Sequence, residues 1–347
     1  MDTEQTLPVD ALMRAYDLGP WESVELLPGG KSQHYRIVTG RGEYVVRRSY
    51  RSKTMGGIYF EHELMAHLRR NGFPSPVVVP SASGDTCVAV DGRLHCVSLF
   101  VRGSPYRAGR VEQLQEVARA LATYHRLLAS FRPSYPGPRT PYLNEDLYAR
   151  LAALRPPAAP TTLLADSDGG PYIQQLLASL PGALEEGQSE LSRLDPLYAV
   201  LPKVVIHGGC RRGSAIFGGD RLITMLDFDS ARLEARALDL AIAIHDFAKV
   251  YGDPASPEYK VPLNLGIVSL FLSAYQEVNP LEPAEIEALP ALLVAKRLKR
   301  ALGRYHRLCK GAELSEGDLR KMTLEIARVY WLEAHRRELQ AAMLGRS

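Results

Sequence analysis

Apolar residues come first in short runs and later at helical spacing, and the change falls near residue 100. The runs cover residues 24–27, 35–38, 44–48, 77–79, 87–90 and 94–100, with a Gly40-Arg41-Gly42 turn between the second and third. Residues 57–71 differ: Phe60, Leu64, Met65 and Leu68 share one helical side, and Asn71-Gly72 ends the helix. A short helix is expected over 8–18, capped near Asp10. The pattern predicts a five-stranded antiparallel sheet with one helix over about residues 20–100. Beyond it, helical spacing recurs over 110–131, 172–194, 258–278, 283–308 and 315–342, with a short helix near 144–154 inside a stretch rich in Pro and Gly. A strand insertion breaks this series. Residues 204–206 form an apolar run that stops at His207-Gly208-Gly209, and residues 215–217 and 222–226 flank a Gly218-Gly219-Asp220 turn, as in a hairpin. The expected class is α+β in two lobes, residues 1–100 and 101–347.

Composition narrows the function classes. A chain of 347 residues exceeds one typical domain and suits two lobes around a cleft. Hydrophobic residues at 46% and charged residues at 23% are ordinary for a globular protein. A formal charge of +3 is too small to make nucleic acid the main partner. Cys87, Cys96, Cys210 and Cys309 form no CxxC spacing, which favours reduced thiols. The acidic N-terminus lacks an apolar signal region, and no run is long enough to span a membrane. A cytoplasmic protein is expected, with a high-GC bacterial bias in residue usage. The basic segment 296–310 reads as the solvated face of a packed helix.

Chemistry concentrates at the hairpin. Asp227 and Asp229 place two carboxylates at the end of its second strand, an arrangement that suits metal and phosphate at a cleft mouth. Gly29 and Gly30 lie in a strand–loop–strand segment where backbone N–H groups can approach a phosphate. Arg47 follows on the next strand. His125 reads as a packed, hydrogen-bonded histidine, and Cys210 as an inert thiol.

Residues 203–239 resemble the catalytic core of the aminoglycoside phosphotransferase superfamily, which includes type II homoserine kinases and choline kinases. That core carries H-G-D-x-x-x-x-N, a hairpin, and an I-D-x-D/E element. His207, Gly208 and Asp227 match it, but the catalytic Asp falls on Gly209 and the metal-binding Asn on Ser214. Leu238-Asp239-Leu240-Ala241 is similar to the D-L-A element, whose Asp supports the catalytic loop.

The resemblance implies a protein-kinase-like fold and the following site. Gly29, Gly30 and Arg47 face nucleotide phosphates, Glu61 pairs with Arg47 (with Glu63 as its competitor), and Ser98, Leu99, Phe100 and Val101 form the adenine edge beside a hinge at residues 101–103. Asp227 and Ser214 are the metal positions, and His207, Gly209, Arg211, Arg212 and Asp229 belong to the catalytic region, its two arginines able to draw an anion. ATP and magnesium are the implied cofactors, both weakened by the replacements. Three readings follow: a pseudokinase that binds a nucleotide, peptide or metabolite, with a partner enzyme in view; a slow phosphotransferase acting on a hydroxyl of a small molecule or peptide; and a cleft converted to other chemistry.

Overall fold

The computed structural model describes residues 7–28, 32–137, 170–250, 263–309 and 315–345. Three strands, β1 (Trp21–Leu27), β2 (Gln33–Thr39) and β3 (Gly42–Arg48), run antiparallel in sequence order. Then β4 (Val78–Val79), β5 (Val88–Val90) and β6 (Arg93–Leu99) complete the sheet in the order β1-β2-β3-β6-β4, with β5 also paired to β6. The sheet therefore has six strands and not the expected five, because both short runs before β6 pair with it.

Side-chain alternation gives the sheet two dry faces. Helix α1 (Val9–Tyr16) packs Leu12, Met13 and Tyr16 against Ile37, Val46 and Val97. Its expected cap at Asp10 is not formed: the helix follows Pro8 without a side-chain cap, and Asp10 instead accepts the indole N–H of Trp21 at 2.8 Å. The opposite face meets α2 (Met55–Arg70), whose N-cap Thr54 accepts from Gly57 N at 3.2 Å. Ile58 of α2 packs there with Cys87 and Cys96.

Past the sheet the chain is mainly helical: α3 (Val111–Leu128), α4 (Gly170–Val200), α5 (Arg236–Phe247), α6 (Leu265–Gln276), α7 (Pro283–Cys309), α8 (Glu316–Ala334) and α9 (Arg336–Met343). The expected helix near 144–154 and the first turn of the one expected from 258 lie outside the described residues. The helix expected over 315–342 is two, broken at His335, whose ring stacks on Trp331 at 4.3 Å. Inserted between α4 and α5 are β8 (Lys203–Ile206), the hairpin β9 (Ala215–Gly218) and β10 (Arg221–Met225), and β11 (Arg232–Ala235). The strand β11 pairs with β8, while the two-residue β7 (Ser104–Pro105) adds to the hairpin. Met225 N donates to Pro74 O at 2.9 Å and ties the hairpin to the sheet side. No helix among the described residues is long and apolar enough to cross a membrane.

The expectation for 296–310 fails at its first two positions. Lys296 is buried, and its ammonium donates to Ile242 O on α5 at 3.3 Å. Arg297 is 1% exposed and pairs with Glu325 of α8 at 2.9 Å. Burial, only partly offset by Glu325, lowers the Arg297 guanidinium to about 10. A buried pair loses most when one partner alone is removed, by about 3–5 kcal/mol. Glu325→Ala should accordingly lower the thermal midpoint far more than the double change Glu325→Leu with Arg297→Met, which replaces both partners of the pair by apolar side chains. Equal losses in thermal unfolding would refute this account of the α7–α8 contact.

Candidate active site

The loop after β8 is fixed by one carboxylate. Asp239, at the start of α5 and inaccessible to water, accepts from His207 N at 2.7 Å, Gly208 N at 2.9 Å and His125 Nε2 at 3.1 Å. The other ring nitrogen of His125 is hydrogen-bonded to Tyr275 OH at 2.8 Å, so the histidine is packed and hydrogen-bonded as its sequence context suggests. Burial favours the neutral Asp239 acid, but the bond and charge of His125 and the His207 amide outweigh it and hold the carboxyl below its ordinary range. His207 is itself buried and kept neutral by desolvation; its Nε2 donates to Leu226 O at 2.9 Å, while Nδ1 accepts from Gly209 N at 3.3 Å.

The two glycines that follow differ. Gly208 has φ +71°, and a Cβ there would press into the Ser230 carbonyl. Gly209 has no left-handed conformation to satisfy, and the nearest atoms to an added Cβ are 3.7 Å away, on Asp227 and His207. Ser214 keeps its hydroxyl within the loop, donating to Arg211 O at 2.7 Å and accepting from Arg211 N at 2.8 Å. Arg212 is held toward α5: its amide donates to Asp246 at 2.9 Å and its guanidinium to Phe247 O at 2.8 Å. Neither Arg211 nor Arg212 lines the cavity described next. Cys210 is fully buried, and burial pushes its thiol up, away from the reactive thiolate.

A cavity of about 410 Å³ opens between the sheet and this loop. Arg47, Glu61, Asp227 and Asp229 line it, as do all four residues from Ser98 to Val101. Arg47 and Glu61 form an ion pair, with the Glu61 side chain 4% exposed. Glu63 is turned away and accepts from Ser134 N at 2.8 Å. Gly29 and Gly30 lie outside the described residues. Asp227 sits in the left-handed region at φ 63°, ψ 49°, an uncommon position for a side-chain-bearing residue and one found at functional sites. Burial, and then the charge of Asp229, push its carboxyl up. Phe228 between the two carboxylates is buried against His207, rings 4.9 Å apart.

Two residues that the sequence pattern did not single out belong to this region. Lys53 reaches Glu61 at 3.5 Å and Asp229 O at 3.3 Å; a loop lysine shortly before a helix carries no periodic signal. His34 on β2 lines the cavity, and burial, then Arg47, lower its pKa. A second cavity, of about 560 Å³, lies beside the first; Lys53, Thr54, Asp229, Ser230, Arg232 and Lys299 are among its lining residues, and Asp229 lines both. Among the described residues no cluster of three or more His, Cys, Asp or Glu side chains is arranged around a metal position.

This geometry agrees with comparison to known proteins. The model of the phosphotransferase enzyme family matches residues 23–264, and the chain belongs to that family. Homoserine kinase from Hyphomonas neptunium is 26% identical over 296 residues, covering 84% of each chain. Homoserine kinase from Parvibaculum lavamentivorans is 28% identical over 304 residues, or 86% of this chain and 85% of its own. The solved aminoglycoside phosphotransferase from Alicyclobacillus acidocaldarius superposes with TM-score 0.70 at 16% identity over 97% of this chain and 98% of that one. Amicoumacin kinase hAmiN, in complex with AMP-PNP, Ca2+ and Ami, gives TM-score 0.63 at 14% identity over 97% and 93%. At these identities the structural likeness is one of fold: the antiparallel sheet and mainly helical remainder are the protein-kinase-like architecture expected from the resemblance.

Two outcomes test the loop. Gly208→Ala should destabilise the protein, because it meets both a left-handed backbone and the Ser230 carbonyl, whereas Gly209→Ala should leave the unfolding free energy within about 0.5 kcal/mol of the parent. Comparable midpoints for the two variants would contradict the described loop. Asp239 supplies the second. Its depressed pKa means that its contribution is present above the unfolded value of about 3.9 and is lost as pH falls through the lower folded value. Asp239→Asn opposes an NH2 group to a buried donor, at about 1–3 kcal/mol. The stability gap between parent and variant should be full near pH 7 and shrink below about pH 4; a gap constant with pH would contradict the ionised network.

Proposed function

We propose that this chain is a pseudokinase: it binds a nucleotide in the cavity between sheet and loop and transfers its phosphate inefficiently or not at all. The carrying observation is Gly209. The resemblance assigns this position to the residue that accepts the acceptor's proton, and glycine has no side chain to do so. Ser214, at the position of a metal-binding amide, keeps its hydroxyl on Arg211.

The binding half rests on groups already facing the cavity. Arg47 offers charge to phosphate oxygens while Glu61 orients it. Residues 98–101, where the chain leaves β6, line the part of the cavity offered to the base. In this reading residues 1–100 are the nucleotide side and residues 101–347 the acceptor side. Asp227 and Asp229 are an oxygen-only pair whose mutual repulsion a cation relieves. That donor set suits magnesium, which takes one or two carboxylates together with phosphate oxygens and water. When bound, the ion neutralises phosphate charge. The second cavity, reached past Asp229, takes a small molecule or peptide ligand.

A slow phosphotransferase is the second reading, and one observation favours it. Asp229 lines both cavities and so stands where a substitute base would meet a hydroxyl acceptor beside the nucleotide. The homoserine kinase relatives point to an amino-acid hydroxyl as the acceptor in that case.

The decisive variant is Gly209→Asp with Ser214→Asn, for which the space at Gly209 is open. It should raise magnesium-dependent ATP turnover by about two to four powers of ten, the range of general acid–base assistance. Arg47→Ala should weaken ATP binding with or without magnesium, and Asp227→Ala only with it. A parent protein that phosphorylates homoserine or another hydroxyl acceptor at about one turnover per second or faster would overturn the pseudokinase reading.

A further inference from the structure

We propose that Cys87 and Cys96 are a reversible dithiol–disulfide pair whose closure releases Arg47 for a phosphate in the adjoining cavity. The redox part stands on the sheet alone; the phosphate part rests on the nucleotide-binding reading above.

Register places the two thiols together. β5 pairs with β6 through Val88↔His95, Ala89↔Leu94 and Val90↔Arg93, closed by Asp91 and Gly92, both at positive φ. One further step sets Cys87 opposite Cys96. On the other side of β6, Arg47 is the partner of Cys96, and Ser49 N donates to Leu94 O at 2.9 Å. Leu94 and Cys96 thus turn their backbone groups toward β3 and meet β5 as non-hydrogen-bonded positions. Directly opposed residues of that kind have Cα atoms about 4.5 Å apart, inside the roughly 4.4–6.8 Å range of disulfides. Their side chains leave the same face of the sheet and pack with Ile58 of α2. Cys87 is 3% and Cys96 5% exposed, which would make both inert were it not for the cavity: Cys96 lines it.

The surroundings single out Cys96 as the sulfur that reacts first. Arg47 Nη2 donates to its Sγ at 3.8 Å, and His62 also lines the cavity. The facing Cys87 thiol, then His62 and Arg47, draw the Cys96 thiol well down despite its burial, and the bond with Cys96, then burial, holds Cys87 up. A low thiol beside a resolving partner is the arrangement of redox-responsive cysteines. With hydrogen peroxide as oxidant the step balances. The Cys96 thiolate attacks one peroxide oxygen, the O–O bond breaks, and sulfenic acid and hydroxide form, the hydroxide becoming water with the proton that the Cys96 thiol released on ionising. The Cys87 sulfur then displaces hydroxide from that sulfur, the S–S bond forms, and its thiol proton leaves in a second water. Two thiols and one peroxide become one disulfide and two waters.

The consequence falls on Arg47. In the dithiol form one terminal nitrogen of its guanidinium serves Glu61 and the other Cys96. A disulfide sulfur is a poor acceptor and carries no charge, so closure frees Nη2 and removes a negative group from a cavity that must admit a polyanion. Oxidation therefore tightens nucleotide binding. By linkage, bound nucleotide makes the bridge harder to reduce by the same factor.

The test uses the full chain. After equimolar peroxide, intact mass and a peptide map made without reductant should show a loss of two hydrogens and a Cys87–Cys96 link, both reversed by dithiothreitol. ATP with magnesium should bind the oxidised protein about three- to tenfold more tightly than the reduced one, and Cys87→Ser should abolish both the link and the response. Cysteines left unlinked, or linked to other partners, overturn the proposal. A bridge that leaves ATP affinity unchanged or lower overturns its coupling to Arg47. A protein that binds no ATP in either state defeats the nucleotide reading instead, since the bridge is read by mass without nucleotide.

Discussion

Asp239 is the carboxylate on which the loop geometry depends. It takes two successive backbone N–H groups, from His207 and Gly208, and an imidazole N–H from α3, all out of contact with water. An anion so placed persists only with its acceptors filled, because an unpaired buried charge is expensive. The donors come from two parts of the chain and the acceptor from a third, so the bond set ties α3, α5 and β8 to one point. Gly208 can then turn the loop tightly enough for Gly209 and Ser214 to follow, and His207 passes the constraint on to Leu226, the residue before Asp227.

The cavity opposite that loop carries charges of both signs in unequal states of satisfaction. On the sheet side Arg47 and Lys53 share the single carboxylate of Glu61, which leaves one positive charge in excess. Asp227 and Asp229 on the loop side repel each other, and burial adds to the cost of ionising Asp227. A site arranged for stability alone would not hold two neighbouring acids and a left-handed aspartate. In the nucleotide-binding reading proposed above, that strain has a use, in holding a cation and a phosphate. In this chain the strained acids and the guanidinium stand beside a loop whose position 209 is a bare glycine.

Much of this was legible from spacing. Alternation along residues 44–48 and helical spacing along 57–71 mark the strand and the helix, while the pairing of Arg47 with Glu61, which the structure forms, was legible only through the resemblance. The hairpin and its terminal acids were equally visible. Burial of basic residues was not. Lys296 and Arg297 look like an ordinary solvated stripe, and the carboxylate that admits Arg297 lies 28 residues further on. Residues 232–235 alternate too weakly to announce β11, whose existence depends on the partner β8. The cysteine pair was half legible: Asp91-Gly92 is a hairpin turn signal that fixes register, but CxxC spacing does not reveal a cross-strand neighbour.

The account stands or falls on whether the cavity holds a nucleotide without consuming it. Phosphorus NMR of ATP and magnesium with a stoichiometric amount of the protein follows both at once. The resonances should broaden or shift as the nucleotide binds, with the γ-phosphate signal intact over a time in which a kinase at about one turnover per second would exhaust it. Unperturbed resonances, or rapid conversion of the γ-signal to a phosphomonoester, would contradict the central claim.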